Sequence, residues 1–166
     1  MRSVRVALAA LLLFSAVESG KAQVIPPKPS GRDLQESVFG LGFSAGFASG
    51  IGLSFRHHLP GKLCYQIVGG IIKSKDKLMS SIGGELQYDL QRSSSTRFFV
   101  VGAAGYYYSG TESVNTMEAP FRAGLGIGGE IPLSEAMGLT GELLFTYQSD
   151  GTVLPLPQAS FHYYFN

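Results

Sequence analysis

Tryptophan is absent from the 166 residues, and cysteine occurs once, at Cys64. A single thiol excludes an intrachain disulfide, so no covalent staple supports the fold. Long apolar runs are lacking as well. Beyond the first 22 residues the longest is Phe98 to Tyr108, well short of the roughly 20 residues that a membrane helix needs. If this chain crosses a membrane, it must do so with strands, the other structure that satisfies its backbone groups in lipid. Excess charge is missing too, with 13 Lys+Arg against 12 Asp+Glu. Arg2, Arg5, Lys21 and Glu18 lie in the first 22 residues, which leaves ten basic and eleven acidic residues, a formal charge of −1, beyond them. That balance makes no electrostatic case for nucleic acid. Glycine, by contrast, is plentiful at 22 residues.

The first residues read as an export signal. Arg2 and Arg5 form a basic start, and Val6 to Val17 is apolar apart from one serine. Gly20 and Ala22 place small residues where cleavage after Ala22 would need them. No cysteine follows the apolar run, which argues against a lipoprotein signal. The expected organisation is a signal peptide at 1–22, a Pro-rich tether at 23–37 and one domain at 38–166. Pro26, Pro27 and Pro29 disfavour a helix in the tether and lack ladder donors.

Beyond the tether the chain divides into short segments with period-two alternation, the strand pattern. Phe39, Leu41, Phe43, Ala45 and Phe47 alternate with Gly40, Gly42, Ser44 and Gly46. Ile51, Leu53 and Phe55 alternate with Gly52, Ser54 and Arg56. A third segment runs from Leu63 to Lys73. In the fourth, about Met79 to Gln91, Ile82, Leu86, Tyr88 and Leu90 oppose Ser81, Glu85, Gln87 and Asp89. The fifth, Arg97 to Ser109, is apolar on both parities, so its faces cannot be assigned. The sixth sets Phe121, Ala123, Leu125 and Ile127 against Arg122, Gly124, Gly126, Gly128 and Glu130. The seventh sets Leu139, Leu143, Phe145 and Tyr147 against Thr140, Glu142, Thr146 and Gln148, and an eighth starts near Leu156. Pro60, Pro120, Pro132, Pro155 and Pro157 are expected at segment ends, where a missing amide donor does least harm.

The chain ends on Ala159-Ser160-Phe161-His162-Tyr163-Tyr164-Phe165-Asn166, with Phe161, Tyr163 and Phe165 on one parity. An exposed aromatic edge strand invites aggregation in water, whereas in a closed membrane barrel lipid covers the stripe and the first strand covers the edge. On these residues, and on the alternation from 38 to 166, the sequence resembles bacterial outer-membrane β-barrels of the small OmpA/OmpX class. The resemblance implies an all-β, eight-stranded antiparallel up-and-down transmembrane barrel with both termini in the periplasm. It marks Phe161, Tyr163 and Phe165 as a C-terminal signal for the barrel-assembly machinery, although the terminal aromatic is penultimate here. It implies outer-membrane lipid as the surroundings, a monomer and no cofactor or metal.

In that topology Pro60-Gly61, Ser93–Ser95 and Ser134–Met137 are periplasmic turns. The connections near Ser49, Ser74–Lys77, Gly110–Ala119 and Ser149–Leu154 are extracellular. Aromatics gather at the two ends: Phe39, Phe55, Tyr65, Tyr88, Phe98 and Phe165 on the inner side, and Phe47, Tyr106, Tyr107, Tyr108, Phe121, Phe145 and Tyr147 on the outer. Such belts suit the headgroup regions.

The rival is a soluble secreted lipid-binding barrel of the lipocalin type, which would also alternate. Its inward face should be large and apolar, yet one parity here is aromatic or aliphatic and the other is Gly, Ser, Thr, Gln and charge. On the membrane reading, Arg56, Glu85, Arg122, Glu130 and Glu142 point into the lumen. Paired charges are expected there, because a lone buried charge is costly, with Arg122 nearer the outer mouth.

Three motifs resemble chemistry without its context. Gly124-Leu-Gly126-Ile-Gly128-Gly129 matches a dinucleotide fingerprint, but that needs a strand-to-helix turn. His57 and His58 are adjacent, so on a strand they face opposite sides and cannot share a metal; a solvated turn edge is expected. Ser160 and His162 share a face near Glu142, similar to the Ser-His-Glu set of outer-membrane lipid A deacylases, but in the reverse order. No enzyme is expected. The function classes left are a structural, surface-interaction or envelope-maintenance protein, or a narrow channel or carrier for a small solute.

Overall fold

Eight strands follow one another, each antiparallel to the last: β1 (Val38–Gly46), β2 (Gly50–His58), β3 (Leu63–Ser74), β4 (Lys77–Arg92), β5 (Arg97–Gly110), β6 (Phe121–Pro132), β7 (Met137–Gln148) and β8 (Val153–Phe165). The computed structural model describes residues 37–74, 77–93, 95–110, 116–117 and 119–165. The expected signal peptide and nearly all of the tether lie outside those residues. So do Asn166 and most of the connection between β5 and β6.

The sheet closes on itself through β1 and β8, paired from Phe39↔Phe165 to Ala45↔Ala159. Closure gives the aromatic tail a partner and removes its free edge. One irregularity, at Asp89/Gln91, interrupts the β4–β5 register.

The wall is inverted relative to a water-soluble barrel. Leu53, Leu125 and Phe145 point outward and are 68%, 73% and 64% exposed, as are many other large apolar side chains. Inward positions are polar: Ser54, Arg56, Gln66, Glu85, Gln87, Glu130, Thr140, Glu142, Gln158 and His162 are all buried. An apolar band this continuous would aggregate in water and is stable only against lipid. The fold is therefore a transmembrane β-barrel, and the lipocalin-type rival is excluded.

The fifth segment, apolar on both parities, now has faces. Phe98, Val100 and Tyr106 look out, whereas Phe99, Val101 and Ala103 look in and form a small apolar cluster with Ala48 and Leu144. The glycine-rich stretch of β6 makes room for that cluster. A Cβ on Gly128 would lie 2.5 Å from the Phe99 ring, so the fingerprint-like pattern serves packing within a strand.

Several sequence expectations need correction. Tyr107 is not in the outer aromatic belt; it points inward and is almost fully buried. The histidines are not a solvated turn edge. His57 stacks on Phe39 with ring centres 4.3 Å apart, while His58 is buried inside beside Tyr164. Their opposite facing follows from strand geometry.

Pro155 and Pro157 lie within β8 and not at its end. The physical reason is the side on which a donor is missing. Tyr164 donates its amide to the Ala136 carbonyl on the β7 side. Amides alternate sides along an antiparallel strand, so Pro155 and Pro157 face the β1 side. There β1 has already ended, since its pairing with β8 stops at Ala45↔Ala159. No ladder bond is lost, and an open edge is blunted.

β1 and β2 are the shortest strands, at 9 residues each against 16 for β4. Their tip does not continue up the wall. The ladder between β2 and β3 stops at Leu53↔Gly69, and Gly50 and Gly52 take φ of 113° and 143°. Those angles are open to glycine but strained for other residues, and they turn the tip into the lumen.

Candidate functional site

The candidate site is the barrel interior, where three layers of polar groups connect from the end at which β8 finishes to the mouth where the β1–β2 tip lies. In the lowest layer Arg56 of β2 is fully buried. Its Nε donates to Gln66 Oε1 at 2.8 Å, Nη1 to Glu130 Oε2 at 3.1 Å, Thr140 Oγ1 at 2.8 Å and Tyr164 Oη at 3.2 Å, and Nη2 to Ser160 Oγ at 3.0 Å. Tyr164 in turn donates to the second Glu130 oxygen at 2.8 Å. Arg97 of β5 shares Glu130 at 3.1 Å and reaches Gln87 Oε1 at 2.9 Å and Asp89 at 2.5 Å. Arg92 closes the group on Asp89. Charges taken out of water need such partners, and charge-assisted hydrogen bonds are the strong ones.

The middle layer has two carboxylates bridged by two amides. Gln87 Nε2 donates to Glu85 and Glu142 at 2.9 and 3.1 Å, and Gln158 Nε2 donates to the same pair at 3.2 and 3.0 Å. Both glutamates are buried inside, on β4 and β7. Neither forms an ion pair with a basic side chain among the described residues.

The upper layer is the β1–β2 tip. Gln158 Oε1 accepts the amides of Ala48 and Ser49 at 2.8 and 3.1 Å. The Tyr107 hydroxyl donates to the Gly46 carbonyl at 2.6 Å and accepts the Gly50 amide at 2.9 Å. Ser81 of β4 both receives the Ile51 amide and donates to the Ile51 carbonyl. Gly83 and Gly105 let the tip land on the far wall: a Cβ on either would lie 2.4 or 2.6 Å from a tip carbonyl. Ala48 and Ser49 are fully buried as a result. Arg122 sits above, its guanidinium 4.5 Å over the Tyr107 ring and bonded to the Phe47 carbonyl at 3.3 Å.

The inward residues read from parity are thus placed as follows. Arg56 and Glu130 meet directly. Glu85 and Glu142 meet through glutamines, and Arg122 stands apart at the outer mouth. Sequence reasoning passed over Arg97, Asp89, Gln158 and Tyr164. Asp89 had the right parity, but Arg97 belongs to the strand whose faces were ambiguous. The tail residues Phe161, Tyr163 and Phe165 are exposed on the outer wall.

Chemically, the interior is committed to holding itself together. Ser160 is engaged by Arg56, and His162 Nε2 is bonded to Ser54 Oγ at 2.8 Å. They do not form a nucleophile–base pair. Cys64 is a free, fully buried thiol.

Fold and interior together define a small, closed membrane β-barrel of eight strands. Its backbone is similar to that of the outer membrane protein Ail of Yersinia pestis in a phospholipid bilayer nanodisc, with 9% identity and a TM-score of 0.46 over 79% of this chain and 99% of that one. It is also similar to a major outer membrane protein from Thermus thermophilus, with 12% identity and a TM-score of 0.43 over 78% of this chain and 100% of that one. No protein-family model matches the chain, and no curated protein matches it in sequence.

Proposed function

We propose that the protein is a non-enzymatic, monomeric outer-membrane barrel with a structural, surface-interaction or envelope-maintenance role, closed to general diffusion. The observation that carries this reading is the interior network from Arg92 to Ser49, with the β1–β2 tip folded over it. Eight strands enclose only enough space for side chains, and here those side chains hold one another. The engagement of Ser160 and His162 by other partners supports the non-enzymatic part. Export through a cleaved signal at 1–22 and insertion by barrel-assembly machinery reading Phe161, Tyr163 and Phe165 complete the proposal, on the resemblance of those segments.

The test is planar-bilayer conductance of the purified protein, read beside heat-dependent gel mobility. A closed barrel gives a heat-modifiable band and no unitary current steps. Regular steps would favour the narrow channel, and a soluble monomer without detergent would overturn the membrane reading.

A further inference from the structure

Among the described residues, the early end of β1 and β2 leaves a gap in the wall. Above the tip, β3 and β8 face each other across the place of two missing strands, about 14 Å at three strand spacings of 4.7–4.9 Å. β3 continues to Ser74 paired only with β4, and β8 runs from Val153 to Gln158 paired only with β7. The gap is level with the outer aromatic belt, because Val153 and Pro155 pair with Tyr147 and Phe145. It therefore opens toward the outer half of the bilayer. Pro155 and Pro157 keep the β8 side from recruiting another strand.

Inward chemistry changes at the same height on the two strands that border the gap, β3 and β8, and at one position of β4 next to them. On β3 the inward parity passes from Gln66 to Val68 and Ile72, and on β8 from Gln158 to Leu156 and Leu154; on β4 Met79 stands above Ser81, with Lys77 at the rim. Ile72, Met79 and Leu154 are 57%, 46% and 42% exposed despite that parity. Across the mouth, β5, β6 and β7 keep Ser109, Arg122, Thr146 and Gln148 on their inward parity. A vestibule meant for water would not place its apolar residues beside the opening to lipid. The apolar band of the outer wall instead continues through the gap and over the tip. Exposed Lys73 of β3 and Lys77 of β4, at the outer end of their hairpin beyond the level of Tyr106, complement a phosphate.

We propose that this gap is a lateral opening through which one acyl chain of an outer-leaflet phospholipid seats over the β1–β2 tip, its phosphate against Lys73 and Lys77. The inference rests on the lipid-facing reading of the wall, and the test separates the two. Because the protein has no tryptophan, Leu154→Trp and Met79→Trp are single fluorescent reporters from the two sides of the vestibule, and Ile82→Trp reports the outer wall. Each variant, confirmed folded by its heat-modifiable mobility, is reconstituted in phosphatidylglycerol vesicles with chain-brominated lipid, and aqueous iodide is added separately.

The expected result is that both vestibule reporters lose as much fluorescence to brominated chains as Ile82→Trp does and resist iodide. Adding Leu156→Glu should abolish the loss at Leu154→Trp and leave Ile82→Trp unchanged. Vestibule reporters quenched by iodide and spared by bromine would overturn the proposal while leaving the wall intact. Quenching that survives Leu156→Glu would also overturn it, since the contact would then be with bulk lipid. An Ile82→Trp reporter untouched by bromine would instead refute the lipid-facing wall itself.

Discussion

Arg56 is the residue on which the interior depends, because one guanidinium binds groups from β3, β6, β7 and β8 at once. Arg56→Met leaves Glu130 with less compensation in a low-dielectric interior, so the expected loss is about 3–5 kcal/mol. Urea unfolding in lipid reads it, and an unchanged midpoint would discard the network. A contrast sharpens the point. Glu130 neutralises two arginines, whereas Glu142 accepts from the amides of Gln87 and Gln158 and forms no ion pair among the described residues. Glu130→Gln should therefore cost about 3–5 kcal/mol, and Glu142→Gln, which keeps an acceptor oxygen for one of its two amide donors, only about 1 kcal/mol for the hydrogen bond lost. The reverse order would mean that the ion pairs are not what holds the lower layer. Parity alone places Arg56, Glu85, Glu130 and Glu142 on the polar side of their strands. Which of them meet was not readable, because that depends on the stagger between strands far apart in sequence, as between β2 and β6.

Among the elements, strands with one polar parity were legible almost to the residue. β6 begins at Phe121 and β3 at Leu63, as their alternation predicts. β5 was ambiguous because its inward Phe99, Val101 and Ala103 pack on glycines and Leu144, so no polar side betrays the lumen. The β1–β2 tip was invisible for a different reason: Phe47-Ala48-Ser49 reads as any tight turn, and the inward fold depends on Gln158 and Tyr107 from distant strands. Two tests belong to this scale. Gln158→Leu removes the acceptor for both tip amides and should speed hydrogen exchange at Ala48 and Ser49, with the β7–β8 ladder still protected. Equal protection in both proteins would show that Gln158 does not hold the tip. Phe165→Asp places a charge near the interface at a modest cost of roughly 0–1 kcal/mol, too little to unfold the barrel. A sharp fall in outer-membrane insertion would then reflect lost recognition of the tail, and normal surface levels in cells would refute it.

For the whole molecule, the inversion of inside and outside makes the bilayer part of the fold. A soluble barrel hides its apolar side chains from solvent, whereas this one presents them to a solvent that is itself apolar, and places its ions within. The consequence is a cost that depends on depth. Leu125 lies midway along β6, between Phe121 of the outer belt and Ile131 at the inner end, and is 73% exposed. Leu125→Arg should destabilise by about 2–4 kcal/mol, the midplane value for a cation on the lipid face, while Val153→Arg beside Tyr147 should cost roughly 0–1 kcal/mol. Denaturant titrations of both variants in vesicles measure the difference directly. A graded response ties stability to the hydrocarbon depth of each position, since the two sites share outward parity and differ mainly in height. Equal costs would mean that the wall does not sit in a bilayer at the level the aromatic belts mark.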